Sequence, residues 1–344
     1  MIGLSLINQP IEIAGLSLHN RLVLPPMAMN AASPIDGKVT RENIEHYKRM
    51  AHGGYLGLVI LEHCYVAPEG KASVGQIAVT GYDCVDGLHE LADAIHACGS
   101  KVVCQINHAG GATTREITGT ADTFSPSGVP FLNREGGTRV MTASDIERVV
   151  SQFALSALTV KEAGFDGVEI HSAHGYLLNQ FASPITNQRT DTYGGTLDNR
   201  LRIHREIIDA VRQTVGDDFP IFLRLGAADY KEGGNTPEDA AAMAAHFAEK
   251  TSLDLLDISG GLTGYILPGK THTQGYFSEL TKLMRPVCDL PLLLTGGISS
   301  ITAADKLLME DKADLIGVGR SMLSDPNWAE NELKLLEEEE KETE

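Results

Sequence analysis

Short runs of apolar, β-branched residues recur along the chain, and longer stretches with helical apolar spacing separate them. That alternation marks βα units feeding a parallel sheet. The strand candidates are Arg21–Met27, Gly57–Cys64, Lys101–Asn107, Phe165–His171, Pro220–Leu225, Leu253–Ser259, Pro291–Thr295 and Ala313–Val318. Between them the pattern predicts a helix opening at Thr40 with Asn43 three residues on, and another over Val85–Cys98. A third covers Ser144–Ala163, where Ser144 and Glu147 have the spacing of a capping box. A short helix at Leu177–Phe181 and a long one over Leu197–Val215 follow. The next opens at Thr236-Pro237-Glu238, with proline in the first helical position, and the last two lie at Thr302–Met309 and after Arg320. Runs such as LVIL, FLRL and LLL stay apolar without alternation, as strands covered on both faces do. Eight strands, each followed by a helix, make the count of a closed (β/α)8 (TIM) barrel.

Ahead of the first strand, Ile11–Leu18 alternates around a glycine turn, which predicts a β-hairpin capping the barrel floor. Residues 109–141 read as a long irregular excursion. Residues 1–336 form a single domain on this reading, and 337–344 an acidic tail with a frayed end.

Composition narrows the function. The 344 residues are 42% hydrophobic and 22% charged, ordinary for a globular chain with a large core. The formal net charge of −18 argues against nucleic acid and anionic membrane surfaces, both of which need clustered Lys and Arg. The five cysteines (Cys64, Cys84, Cys98, Cys104 and Cys288) show no C-x-x-C spacing, and an odd, scattered set suits reduced thiols in a cytoplasm. The N-terminus lacks the pattern of a signal peptide, and no apolar run approaches the ~18 residues that span a bilayer. A homo-oligomer is compatible with all of this.

In such barrels the chemistry sits at the C-terminal ends of the strands. Here those ends read Pro25-Pro26-Met27-Ala28, Glu62-His63, Gln105-Ile-Asn107-His108, His171-Ser-Ala-His174-Gly-Tyr176, Arg224, Ser259-Gly260-Gly261, Thr295-Gly296-Gly297 and Gly317-Val-Gly319-Arg320. Glycine turns after strands seven and eight, with Arg320 beside them, suit a phosphate. The ring of strand ends is rich in imidazole, amide and guanidinium and poor in carboxylate. It offers little to a divalent metal, and none is assigned; it better suits an oxygen or cofactor that becomes negative during reaction.

At Pro25-Pro26-Met27, Gln105, His171-x-x-His174-x-Tyr176, Arg224, Gly296-Gly297 and Gly319-Arg320 the sequence resembles the Old Yellow Enzyme family of FMN-dependent oxidoreductases. Its most specific stretches are Glu169–Pro184 and Asn187–Gly195 followed by Asn199-Arg200. The resemblance implies tightly bound, non-covalent FMN with NADH or NADPH as hydride donor. Pro25, Pro26, Met27 and Ala28 would lie along the flavin ring. Gln105 would bond its pyrimidine edge, and Arg224 would sit near N1 and O2. Gly260 would contribute to the cofactor site, and Gly296, Gly297, Gly319 and Arg320 would hold the phosphate. His171 and His174 would donate to the acceptor's carbonyl oxygen, and Tyr176 would protonate its α-carbon. A nicotinamide gives up hydride and leaves, then a small electron-poor acceptor takes hydride in the same place, which predicts ping-pong kinetics.

Three positions depart from the family pattern. Ala28 replaces a Cys or Thr, Asn30 stands where some branches carry an aromatic residue, and His63 stands where relatives have a small one. His63 either reshapes the pocket or contacts flavin O4. No cysteine cluster follows the barrel, so the chain resembles the stand-alone form. The residues by themselves leave a second reading open, a metal- or phosphate-dependent lyase or hydrolase on the same barrel. The loops at 110–139 and 263–275 are expected to shape the pocket.

Overall fold

The computed structural model describes residues 5–119, 123–129 and 138–343. Eight parallel strands close into a barrel: β3 (Leu22–Leu24), β4 (Leu58–Tyr65), β5 (Lys101–Asn107), β8 (Gly167–Ser172), β9 (Ile221–Ala228), β10 (Leu255–Gly260), β11 (Leu292–Leu294) and β12 (Leu315–Gly317), which returns to β3. The first strand is shorter than its apolar run predicts. Pro25 and Pro26 have no N–H to give the ladder, so pairing stops at Leu24. β1 (Ile11–Ile13) and β2 (Leu16–Leu18) form the expected antiparallel hairpin.

Helices α1 (Arg41–Ala51), α2 (Val85–His96), α4 (Ala143–Glu162), α7 (Arg202–Val215), α8 (Pro237–Lys250), α9 (Ser278–Met284), α10 (Ile301–Met309) and α12 (Trp328–Thr343) follow the barrel strands. Short helices α3 (Arg115–Thr118), α5 (Leu177–Ala182), α6 (Leu197–Arg200) and α11 (Arg320–Ser324) lie in the loops. None of the described helices is long and apolar enough to cross a membrane. Thr40 caps α1 in a box with Asn43, and Thr236 caps α8 ahead of Pro237.

Four expectations need correction. The cap of α4 is Thr142 with Asp145, not Ser144 with Glu147. Thr142 is extended and its hydroxyl accepts from the Asp145 N–H, while Asp145 accepts from the Thr142 N–H and pairs with Arg139 and Arg148. The helix predicted over Leu197–Val215 breaks at Leu201 (φ −90°, ψ 0°), where Arg200 and Arg202 reach back to the carbonyls of Ala182 and Thr192. The 109–141 excursion holds α3 and a small parallel pair, β6 (Phe124–Ser125) and β7 (Arg139–Val140), with 120–122 and 130–137 outside the described residues. The acidic run from 337 continues α12 to Thr343 rather than standing apart as a tail; Leu333 and Leu336 on the same helix are buried.

The strand period of two sorts the barrel interior into layers. Val23, Leu58, Ile60, Val103, Phe222, Leu255, Leu293 and Leu315 form an apolar floor, sealed from outside by Ile13, Leu16 and Leu18 of the hairpin. Residues one step out of phase, such as Val59, Leu61, Leu223 and Leu256, pack outward in the larger core beneath the helices. Two residues above the floor, on the same strand faces, stand Gln105, Arg224, Asp257 and Thr295, joined by Glu169 of β8. Pairing sets Glu169 beside Gln105 and sets Arg224 beside both His171 and Asp257.

Candidate active site

Above this polar layer the strand ends open into a cavity of about 520 Å³. Pro25, Pro26, Met27 and Ala28 line one side. His63, Gln105, His171, His174, Tyr176 and Arg224 line the middle, and Gly296, Gly297, Gly319 and Arg320 the far end. Gly260 does not line it. A Cβ there would come 2.1 Å from the Gly264 carbonyl, so this glycine serves close backbone packing.

The imidazoles and the phenol converge. The His171 ring lies edge-on to His174 at 5.0 Å, to Tyr176 at 5.1 Å and to His63 at 6.1 Å. The His171 Nδ1 accepts the Ala173 N–H at 3.1 Å. The proton of the neutral ring is therefore on Nε2, and His171 can act there as a donor. Burial pushes both His171 and His174 well below the ordinary imidazole value; for His171 the neighbouring His174, His63 and Arg224 add to it. Both rings are neutral at pH 7.

His174 is in the left-handed region (φ 58°), an uncommon place for a side-chain-bearing residue. The turn is held by three contacts: the His174 N–H donates to Gly260 O, the Gly175 N–H to Asn179 Oδ1, and His174 Nε2 bonds Ser259 Oγ at 2.7 Å. Sequence reading placed Ser259 at a strand end but gave it no role; it sits two residues above Asp257 on the same strand face.

Beneath the mouth, Arg224 donates to Asp257 Oδ2 at 2.7 Å, and Gln105 to Glu169 Oε2 at 2.6 Å. Burial and the adjacent Asp257 carboxylate push the Glu169 carboxyl well up; burial takes Asp257 up to about 6, with Arg224 pulling it back. Glu169 Oε1 and Asp257 Oδ1 are both buried without a donor. The two carboxyls hydrogen-bond each other, and one shared proton satisfies both. Glu62, likewise placed at a strand end without a role, accepts the Met29 N–H at 2.9 Å and so ties the Pro25–Met29 wall to β4; burial raises it to about 7.

The profile of the NADH:flavin oxidoreductase / NADH oxidase family matches residues 7–339. The chain belongs to this family. The NADH oxidase of Thermoanaerobacter brockii is 38% identical over 323 residues, covering 92% of this chain and 49% of that protein. The NADPH dehydrogenase of Halalkalibacterium halodurans is 38% identical over 317 residues, covering 92% and 90%. Among solved structures, a 2-naphthoyl-CoA reductase in complex with 2-naphthoyl-CoA superposes with a TM-score of 0.89 at 28% identity, over 96% of this chain and 52% of the other. The chain thus spans about half the length of two of these relatives.

The family it belongs to is named for a flavin and for NADH as its electron donor. The residues present fit FMN. Arg224 Nε is buried and unpartnered at the cavity base, ready for an acceptor on the flavin. At the far end Gly296 (φ 114°) and Gly297 (φ 72°) form a turn that side chains cannot follow. A Cβ on Gly296 would meet the Tyr276 ring at 2.8 Å, and one on Gly297 the Thr273 carbonyl at 2.6 Å. These glycines and Arg320 leave a cradle for the phosphate. Of the two loops expected to shape the pocket, the 263–275 segment does so through Gly264, Tyr265 and Ile266, while no described residue of 110–139 lines the cavity.

Proposed function

We propose that this enzyme is of the ene-reductase type, reducing the C=C bond of an α,β-unsaturated carbonyl or a similarly electron-poor small molecule at the expense of NADH or NADPH. FMN held at this mouth would supply the hydride relay between the two substrates, so that overall NAD(P)H, a proton and the alkene become NAD(P)⁺ and the saturated product.

The observation that carries this reading is the pinned Nε2–H of His171 beside His174 and Tyr176. Neutral donors aimed at an acceptor oxygen bind the ground state modestly and the developing enolate strongly. Tyr176 supplies the proton for the α-carbon; a phenol is protonated at working pH and needs no further activation to be an acid. Pro25, Pro26, Met27 and Ala28 would give the ring of the cofactor an apolar wall, Gln105 and Arg224 would hold its pyrimidine edge, and the glycine turns with Arg320 would hold its phosphate. The five unpaired cysteines favour a reducing, cytoplasmic setting.

The test is anaerobic. The yellow holoenzyme is bleached by NADH or NADPH and recoloured by 2-cyclohexenone with production of cyclohexanone. Bleaching without any recolouring by enones would leave an NAD(P)H oxidase and discard the ene-reductase reading.

A further inference from the structure

Three imidazoles border the cavity, and the reading above uses two. The third, His63, lies on β4 two residues before its end and is half-buried against the open volume. Its ring lies 5.4 Å from the Tyr176 ring and 6.1 Å from that of His171.

Gln76 fixes its protonation. The Gln76 Oε1 accepts the Ala72 N–H at 2.6 Å, so the amide can turn only its NH₂ toward His63. That NH₂ donates to the His63 carbonyl at 2.9 Å and to His63 Nδ1 at 2.6 Å. With Nδ1 an acceptor, the neutral ring carries its proton on Nε2. The Ala173 N–H imposes the same tautomer on His171. Two unrelated anchors thus pin two facing rings as Nε2–H donors beside one phenol. A ring that only filled space would need no such anchor. No neighbouring carboxylate is paired with His63 among the described residues, and burial holds it near 4, so it is neutral at pH 7.

We propose that His63 is a specificity-determining oxygen donor, and that the acceptor suited to this cavity is uncharged and carries two oxygens on its activating group, as a nitro group or a carboxylic ester does. His171 with His174 takes one oxygen and His63 the other. Neutral donors favour these groups over a free carboxylate, whose full charge they cannot offset. This rests on the ene-reductase reading for its chemistry but not for its test, because binding is read without turnover.

The experiment measures dissociation constants of nitrobenzene, methyl benzoate and acetophenone for the oxidised FMN holoenzyme, by titration of the flavin absorption and by calorimetry. The variants are His63→Ala, His63→Phe (ring volume without a donor) and His63→Gln (a donor without the ring). Losing one hydrogen bond should weaken the two-oxygen ligands about tenfold in Ala and Phe while acetophenone changes little, and Gln should recover part of the loss. Preferential weakening of nitrobenzene alone, or of methyl benzoate alone, supports the donor role and selects between the two groups. Equal weakening of all three ligands, or no change in any, overturns it. Far-UV circular dichroism and the thermal unfolding midpoint of each variant report folding, and the Gln and Phe variants guard against a collapse peculiar to Ala.

Discussion

At the barrel floor Val103, Phe222, Leu255 and Leu293 pack against one another and the hairpin. Two residues further along the same strands, Gln105, Arg224, Asp257 and Thr295 face one another across the same space. Backbone geometry is shared, and only the height above the floor differs. The lower layer gains from every apolar contact. The upper layer desolvates a guanidinium and two carboxyls, which pairing and one shared proton only partly offset. One strand set thus separates two tasks: stability is concentrated where the hairpin seals the end, and charge is kept where a cofactor and acceptor can meet it.

The comparison breaks most visibly at Phe222, which is 1% exposed at the centre of the floor. Phe222→Ala should cost about 3–5 kcal/mol in denaturant unfolding, by loss of transfer energy and by the cavity left behind. Turnover per bound flavin should stay the same. A large fall in kcat with stability intact would mean the layers are not separate.

His171→Ala is the converse. Removing one oxyanion donor should lower kcat/KM for an enone by about 10²–10³-fold, with FMN content and the unfolding midpoint nearly unchanged. A midpoint drop comparable to that of Phe222→Ala would show that the mouth also holds the fold together.

The third test uses pH. Glu62, at the mouth, is raised from an ordinary 4.5 to about 7 by burial. Its folded form prefers the proton, so its stabilising contribution is complete below about 4.5 and lost as pH climbs through about 7. Asp257 and Glu169 act with the same sign, whereas half-buried His63 and buried His108 and His204, lowered by desolvation to about 4, 4 and 3, cost stability as pH falls below 6.5. These trends overlap in the wild type, so the difference between wild type and Glu62→Gln isolates the one group. That difference should move in the variant's favour by about 3 kcal/mol between pH 4.5 and 8. Parallel stability curves would show that Glu62 stays ionised.

Much of this architecture was legible in the order of residues. Strand number, the hairpin and the cavity-lining side chains follow from apolar runs and from what ends each strand. The supporting residues did not stand out, because their meaning depends on partners distant in sequence. Glu169 and Asp257 each look like an isolated acid within an apolar run until register brings them together with Arg224 and Gln105. The signal was available in the period of two: each lies two residues before a strand-end side chain, Glu169 before His171 and Asp257 before Ser259. Gly260 shows the opposite difficulty, since a glycine that permits backbone packing and one that admits a phosphate are the same letter. Gln76 gave no local sign at all; its role exists only through Ala72 and His63.

The smallest expected effect lies outside both layers, at the corrected helix cap. α4 packs on β5 and β8, the strands that carry Gln105, Glu169 and His171. Its first turn is held by the reciprocal Thr142–Asp145 bonds, with Asp145 kept ionised by Arg139 and by the Thr142 bonds. Thr142→Ala should therefore cost about 1 kcal/mol of stability, while Ser144→Ala, at the second helical position and without a cap bond, should be neutral or slightly stabilising because alanine is the better helix former. Neither should alter kcat/KM, because a cap fixes where the helix begins and not the pleat of the strands beneath it. A change in enone turnover in Thr142→Ala would reveal that the outer helices help set the height at which His171 stands, and the division between floor and mouth would have to be redrawn to include them.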